Sequence, residues 1–381
     1  MAPIILDART ATDHFPGIGR YVVNLSGALQ HVAPDLELRL LRDPTAPALH
    51  LTLPDLPTID CAESPFTLSQ QWRVRHTLRD SRAVLYHSPY YLMPYRPGMP
   101  TMFTCHDLIP LIFRKYFKAR HRLIYRFAHQ LALNTAQLTI AVSQSTKNDL
   151  QRLFGVKPDR IVVVHEGVDA HFQPPARPEI DRVKQHYALP DRYVLYFGSN
   201  KPHKNLVRLI EAFAQVGTGN RGAGSRDQSL GIGLVIGGHW DQRYPEAKQS
   251  AEKLGLADRV RFIGPVADAD LPALYGGAAV FVFPSQYEGF GLPVLEAMAC
   301  GAPVVCSNRS SLPEVAGDAA ALCNPENQAA LAQAIAQIIF DPAQLLERRE
   351  RSLTRAAQFT WERTAQQTAA AYRAVLSSAN S

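Results

Sequence analysis

Short runs of β-branched and aromatic residues alternate with stretches of helical periodicity from one end of this chain to the other. In the first half, runs at 4–8, 37–41, 83–87, 101–105, 138–142 and 161–165 predict strands. Helical apolar spacing at 19–32, 68–79, 120–136 and 146–154 predicts helices between several of them. Strands separated by helices predict a parallel sheet covered on both faces. A Pro-rich run, Phe172-Gln173-Pro174-Pro175-Ala176-Arg177-Pro178, breaks the pattern and predicts a linker over 173–190. Strands restart at 193–197, 233–236, 260–263, 280–283 and 303–306, with a Gly/Ser-rich surface loop at 217–231. Helical patterns at 328–339 and 362–376 close the chain. The fold class predicted is α/β, with two doubly wound, Rossmann-like domains, 1–172 and 191–360, facing across a cleft. A ligand would sit between them, at the carboxyl ends of the strands.

The 381 residues, 46% hydrophobic and 19% charged, suffice for full cores and exclude wholesale disorder. No run approaches the roughly 18 apolar residues that cross a bilayer. The start, Met1-Ala2-Pro3-Ile4-Ile5-Leu6-Asp7, lacks a basic leader and predicts a first strand. Five scattered cysteines without a Cys-x-x-Cys pair predict buried free thiols in a reducing cytoplasm and no zinc site.

Charge changes the picture more. The first 170 residues hold five of the six net positive charges, many of them in Arg114, Lys115, Lys118, Arg120, Arg122 and Arg126. Phe117, Ile124, Phe127 and Leu131 recur among them at helical spacing. One reading is a core-packed helix with a solvated basic face. The other is attraction to an anionic membrane surface or a phosphate-bearing acceptor. Nucleic acid is not expected, because no aromatic-basic binding module accompanies the charge.

The densest chemistry lies in Glu288-Gly289-Phe290-Gly291-Leu292-Pro293-Val294-Leu295-Glu296, between an apolar run and a helical stretch that stops at Gly301. Strand, Gly-rich loop and helix in that order predict backbone N–H groups and a positive helix end facing a phosphate, with Pro293 opening the helix. Glu288 and Glu296 would be repelled by that phosphate but can accept hydrogen bonds from hydroxyls on either side of it. A sugar nucleotide is the ligand this pattern suggests.

Upstream, Gly17-Ile18-Gly19-Arg20-Tyr21 opens a helix after the first strand's loop. As a dinucleotide fingerprint it is incomplete: Val22 occupies the third glycine's place and no acidic residue ends the second strand. A tight turn without ligand is the plain alternative. His106 follows the strand at 101–105, with Asp107 either orienting its imidazole or capping the next turn. Lys204 follows the strand at 193–197 and precedes a helix, a position disfavoured by the helix dipole unless an anion intervenes. Ile263-Gly264 closes a further strand, where the backbone would read a nucleobase edge or simply turn.

Taken in order, these segments resemble the signatures of glycosyltransferase family 4, whose enzymes have the GT-B fold and share a pair of glutamates eight positions apart, as Glu288 and Glu296 are. The resemblance spans essentially the whole chain, and Val142-Ser143-Gln144-Ser145 with the basic segment looks like the mannosyltransferase-type subgroup. It implies a retaining transfer of a hexose, mannose favoured, from a nucleotide diphosphate sugar (GDP-mannose or a UDP-sugar) to a glycan or lipid-linked hydroxyl, with no metal cofactor required. Carried over by position, Glu288, Phe290 and Gly291 would hold the donor sugar. Leu292 and Lys204 would hold the diphosphate, Glu296 the ribose, and Ser199, Ile263 and Gly264 further parts of the donor. His106 would contact the transferred sugar. Gly19 would let a loop approach the diphosphate, and Gly17, Arg20, Tyr21 and Asp107 would serve the acceptor side. Many members carry an arginine where Ser199 and Asn200 stand here, so part of the leaving group's charge would have to be neutralised by Lys204, Lys201 or a residue elsewhere in the chain that the motifs do not mark. The helix after Trp361 would return to pack on the first domain, the alternative being its own. A redox or epimerising enzyme and a non-catalytic sugar-nucleotide sensor are the competing classes.

Overall fold

A computed structural model describes residues 2–12, 14–46, 52–216 and 231–379, so the predicted loop at 217–231 lies, except for Gly231, outside the described residues. The chain divides into unit 1, Met1–Gly167 with Phe359–Ser381, and unit 2, Val168–Gln358.

Unit 1 is built on seven parallel strands: β1 (Ile4–Asp7), β2 (Leu38–Arg42), β3 (Thr58–Asp60), β4 (Leu85–Ser88), β5 (Thr101–Cys105), β6 (Leu138–Ala141) and β7 (Ile161–Val163), in the order β3-β2-β1-β4-β5-β6-β7. β1, β4 and β5 are buried throughout, as expected of strands covered on both faces. The order reverses direction between β1 and β4, the kind of switch point where doubly wound sheets open a crevice. β3 was not predicted: its three residues are short and half exposed, leaving no apolar run.

The helix Pro16–Val32 buries Tyr21, Val22, Leu25 and Leu29, which share one helical face, against Trp361, Ala365, Ala369, Tyr372 and Val375 of the helix Trp361–Ala379. Burial of each large apolar side chain stabilises this pair by about 1.5–3 kcal/mol, and the alanines admit close approach. The last helix is therefore part of unit 1's core. The crossing is tight: a Cβ at Gly167 would stand 2.3 Å from the Trp361 amide nitrogen, so Gly167→Ala would force the returning chain away.

Unit 2 repeats the plan with β8 (Arg192–Phe197), β9 (Ile232–Gly237), β10 (Val260–Gly264), β11 (Val280–Phe283), β12 (Val304–Ser307) and β13 (Ala321–Cys323), all parallel, in the order β10-β9-β8-β11-β12-β13. The predicted linker at 173–190 is instead integral to this unit. It contains the helix Arg177–His186, Tyr187 donates a hydrogen bond to Asp270 at 3.0 Å, and a Cβ at Gly276 would lie 2.4 Å from Pro175. The proline-rich composition marks the helix start rather than a free connection. The helix Pro342–Ala356 was also missed, because its single buried edge gives too few apolar positions; it packs on Leu292–Ala299.

The basic helix Ala119–Thr135 corrects another expectation. Its core side is Ala128, His129, Ala132 and Leu133, whereas Leu123, Ile124 and Phe127 are 57–69% exposed. The predicted stripe of bulky apolar residues is thus not the packed one. Among the described residues no single helix is long and apolar enough to cross a membrane, and all five cysteines are buried and free.

Candidate active site

In unit 2, the loops after β8 and β11 meet. Asn205 takes a left-handed conformation at φ 63° and donates through its amide to the carbonyls of Pro284 (3.2 Å) and Pro325 (2.7 Å). The Gln286 amide donates to the His203 carbonyl at 2.7 Å. Lys204 is thereby set beside Glu288, and its ammonium donates to both carboxylate oxygens at 2.7 and 2.9 Å. Both side chains are largely buried, and the ammonium also lies 5.1 Å from the centre of the Phe283 ring. His203 is held neutral: burial, then the Lys204 charge, lowers its pKa to about 4.

The Gly-rich loop is pinned from below. Ser310 donates to the Glu288 carbonyl, and the Ser311 hydroxyl reaches the carbonyls of Glu288 and Phe290. Gly291 sits at φ 118°, where a Cβ would lie 2.8 Å from Leu312, so only glycine fits this cap. The helix Leu292–Ala299 follows; Leu292 is its first residue and Pro293 its second, one place later than predicted. Among the described residues the Leu292 amide has no acceptor, leaving a donor at a positive helix end. Glu296, one turn on, is buried and accepts from Tyr275 Oη at 2.9 Å.

A cavity of about 100 Å³ opens at the ends of β8, β9 and β10, lined among others by Gly198, Asn200, Gly238, Trp240, Lys248 and Gly264. A Cβ at Gly238 would stand 2.3 Å from the Gly198 carbonyl oxygen, so glycine alone permits this approach of the two strand ends. Trp240 and Phe262 pack edge to face at 5.3 Å, with the Lys248 ammonium 4.5 Å from the centre of the Trp240 ring. Asn200, where the family arginine is absent, is engaged in fixing the loop beyond β9 through the backbone of Asp241 and Tyr244. Ser199 receives the Tyr196 hydroxyl on its carbonyl at 2.7 Å. Ile263 lies against Gly237, where a Cβ would stand 3.3 Å from its side chain.

In unit 1, His106 emerges at the end of β5. Its Nδ1 lies 3.0 Å from Glu166 Oε1, its ring meets Tyr21 edge-on at 4.8 Å, and among the described residues its buried Nε2 has no hydrogen-bond partner. Asp107 accepts from the Ile109 amide at 2.9 Å and caps the next turn, the second of its two expected roles. Glu166 takes the orienting role. It was missed, although it stands three residues past β7 much as His106 stands just past β5, and strand-end position was the available signal.

The structure places several of the residues expected on the acceptor side inside a helix. Gly17 and Gly19 lie within the first turn of the helix Pro16–Val32, not in a loop, and Gly19 is buried. Tyr21 is fully buried, its hydroxyl 3.1 Å from Thr104 Oγ1, and burial raises its pKa far above the ordinary value. A side chain so enclosed cannot reach an acceptor. Arg20 is half-buried. From Thr104 the network continues to His87 Nε2 at 2.7 Å, and from His87 Nδ1 to Tyr372 Oη at 2.7 Å. Burial, with the His106 charge second, lowers the His87 pKa to about 3. Among the described residues no group of three His, Cys, Asp or Glu side chains could hold a metal ion.

Comparison with known proteins decides the family. Residues 16–172 match the family Glycosyltransferase Family 4, and residues 178–358 match Glycosyl transferases group 1. The O-antigen chain mannosyltransferase B of Escherichia coli is 35% identical over 298 residues, covering 78% of this chain and 76% of that protein. The chain belongs to glycosyltransferase family 4. This family 4 hexosyltransferase is also 30% identical to the serotype-specific mannosyltransferase WbdA of E. coli over 282 residues, although it spans only 32% of that longer relative. Its fold is GT-B. HepE of Anabaena, solved with UDP and glucose, superposes with a TM-score of 0.78 at 22% identity, covering 98% of this chain and 100% of that one. Sucrose-phosphate synthase of Thermosynechococcus elongatus gives 0.77 at 24% identity, covering 99% and 100%.

Proposed function

We propose that this glycosyltransferase moves a mannosyl group, with retention, from a nucleotide diphosphate sugar, GDP-mannose in the first instance, to a glycan hydroxyl in cell-envelope polysaccharide synthesis. The observation that carries the proposal is the Lys204–Glu288 pair beside the open Leu292 amide. An ammonium and a helix end suit a diphosphate, and the adjoining carboxylate suits sugar hydroxyls. On donor binding Lys204 turns from Glu288 to the diphosphate, and Glu288 accepts from the sugar. As the anomeric C–O bond breaks, charge gathers on the leaving diphosphate, where preorganised donors act most strongly. The acceptor hydroxyl attacks from the departing group's face and passes its proton to a diphosphate oxygen, so no second carboxylate base is needed. Glu296 is assigned to the ribose, the cavity by Trp240 and Gly264 to the base, and His106, oriented by Glu166, to the transferred sugar. Lys204 and the helix end supply the charge that a metal would otherwise supply. The mannosyltransferase relatives support the choice of mannose, and the UDP-bound neighbour supports a nucleotide donor.

A panel of nucleotide sugars tests this reading: GDP-mannose should raise the unfolding temperature most, since a ligand bound only by the native state stabilises it. NMR of the product should show the donor's anomeric configuration kept. Stabilisation by no nucleotide sugar would sink the proposal.

The cytoplasmic face of an anionic membrane is proposed as the place of work. Exposed Leu123, Ile124 and Phe127 beside Lys118, Arg120 and Arg122 present apolar and basic groups together, which suits acidic lipid. At about 1 kcal/mol per basic residue, reversing Lys118 and Arg122 together should weaken binding to phosphatidylglycerol vesicles by well over tenfold. Unchanged sedimentation with vesicles would refute it.

A further inference from the structure

A basin of about 620 Å³ in unit 1 shares no residue with the His106 site. Its walls are Trp72, Arg75, His76 and Arg79 of the helix Gln70–Asp80, on successive turns of one face, with Tyr95 and Arg96 opposite. Among the described residues no acidic side chain lines it. Arg79 pairs with Asp80 at 3.4 Å, but both side chains are 70% exposed, a pair too solvated to neutralise the basin.

The basin is built rather than incidental. Gln71 accepts from the Tyr95 amide at 2.8 Å and donates to the Met93 carbonyl at 2.9 Å, locking the far wall to the helix. The Tyr95 hydroxyl donates to the Tyr91 carbonyl at 3.2 Å. Gly98, at φ 89°, turns the loop back over the helix so that a Cβ there would lie 4.0 Å from Arg75 Nε. Between these walls the indole of Trp72 is 57% exposed, an uncommon state for so large an apolar surface.

We propose that this basin is a second saccharide site that takes a pyranose ring bearing a phosphate or carboxylate. The planar guanidinium forks of Arg75, Arg79 and Arg96 match an oxyanion in bidentate fashion. The indole face offers a flat apolar platform for the C–H face of a sugar ring. Three cations without acidic neighbours in the cavity exclude a neutral sugar as the preferred ligand, and the indole favours a sugar-borne anion over a free one. The choice of a sugar rests on the chain's being a glycosyltransferase, whose acceptor or product is a glycan; the anion requirement rests on the basin alone.

The test titrates the full chain with mannose 6-phosphate, glucuronate, mannose and inorganic phosphate, with GDP and UDP at saturation to block the donor site, following the Trp72 indole N–H by NMR. At least one of the two anionic sugars should shift that signal and bind about tenfold or more tightly than mannose or inorganic phosphate. Which of the two does so identifies the anion. Arg75→Glu should abolish the shift. Arg75→Lys, which keeps the charge but loses the fork, should weaken binding several-fold. Transfer from the nucleotide sugar to a small soluble acceptor should be unchanged in both variants, which separates this site's failure from failure of the proposed reaction. Inorganic phosphate binding as tightly as either anionic sugar would overturn the proposal. So would tighter binding of a single-stranded oligonucleotide, or an Arg75→Glu variant that binds normally.

Discussion

The carboxyl ends of the two sheets carry the same kind of device, a basic side chain held against a buried carboxylate, assembled in opposite ways. In unit 2 the Lys204–Glu288 pair is fixed by backbone. Glycines at 238 and 291 occupy conformations other residues cannot reach, Asn205 clasps two proline carbonyls, and Ser310 and Ser311 pin the loop from beneath. In unit 1 the His106–Glu166 pair rests on side chains, with Tyr21 against the imidazole and the line Tyr21–Thr104–His87–Tyr372 buried behind it. A site fixed by backbone leaves glycine and proline punctuation in the sequence. A site fixed by side-chain hydrogen bonds leaves almost none.

The comparison is broken most severely at the Lys204–Glu288 pair. Removing one partner of a buried ion pair strands the other and costs about 3–5 kcal/mol. Lys204→Met and Glu288→Gln should therefore each lower the unfolding temperature of unit 2 as well as turnover, the latter by ~10³-fold if the ammonium stabilises the leaving group. The double variant, with no stranded charge, should recover most of the stability and none of the activity. Recovery of activity with stability would mean the pair is structural and the catalytic assignment wrong.

This contrast explains what was legible in the sequence. The alternation of strands and helices gave the two parallel sheets, because strands covered on both faces are continuous apolar runs. It missed β3 and the helix Pro342–Ala356, whose burial is one-sided or slight. Glu288, Gly291, Glu296 and Lys204 stood out because a Gly-rich loop between strand and helix has few other uses. Glu166 did not, since a lone glutamate after a three-residue strand resembles any surface carboxylate until the sheet brings it to His106. Tyr21 misled for the converse reason: the family resemblance gave it to the acceptor side, whereas the helix that the sequence itself predicted turns it inward. The helix Ala119–Thr135 misled in the same way, since Ala128, His129, Ala132 and Leu133 face the core while Ile124 and Phe127 face outward.

A smaller effect is expected in unit 1. His106→Ala should lower turnover on the order of 10²-fold. Glu166→Gln, which retains an acceptor oxygen but not the charge, should lower it by about tenfold through a poorly oriented ring. Donor KM should stay unchanged in both, with turnover counted per folded molecule so that a loss of folding is not read as a loss of catalysis. Because Glu166 acts through His106, the double variant should be no worse than His106→Ala alone. Additive losses would show that Glu166 has a separate task.

The smallest effect separates the units by pH. Burial lowers the pKa of His87 and of His129 to about 3 in unit 1, and of His203 to about 4 in unit 2, from an ordinary 6.5. These imidazoles stay neutral when folded, while the unfolded chain takes up their protons below pH 6.5. Stability is thus fully present above that value and is lost as the pH falls toward the folded pKa. The Asp241 carboxylate, lowered to about 2, acts only in more acid solution and leaves this window to the histidines. From pH 7 to pH 6 each histidine should contribute a loss of about 0.7 kcal/mol. Unit 1, with two, should lose about twice as much as unit 2. Amide hydrogen exchange of the β4–β5 and β8–β11 pairs, corrected for intrinsic rates, reads the two units separately. His87→Asn should roughly halve the slope in unit 1 and leave that of unit 2 untouched. Equal slopes in the native chain would show that the two cores do not differ in the way their buried histidines require.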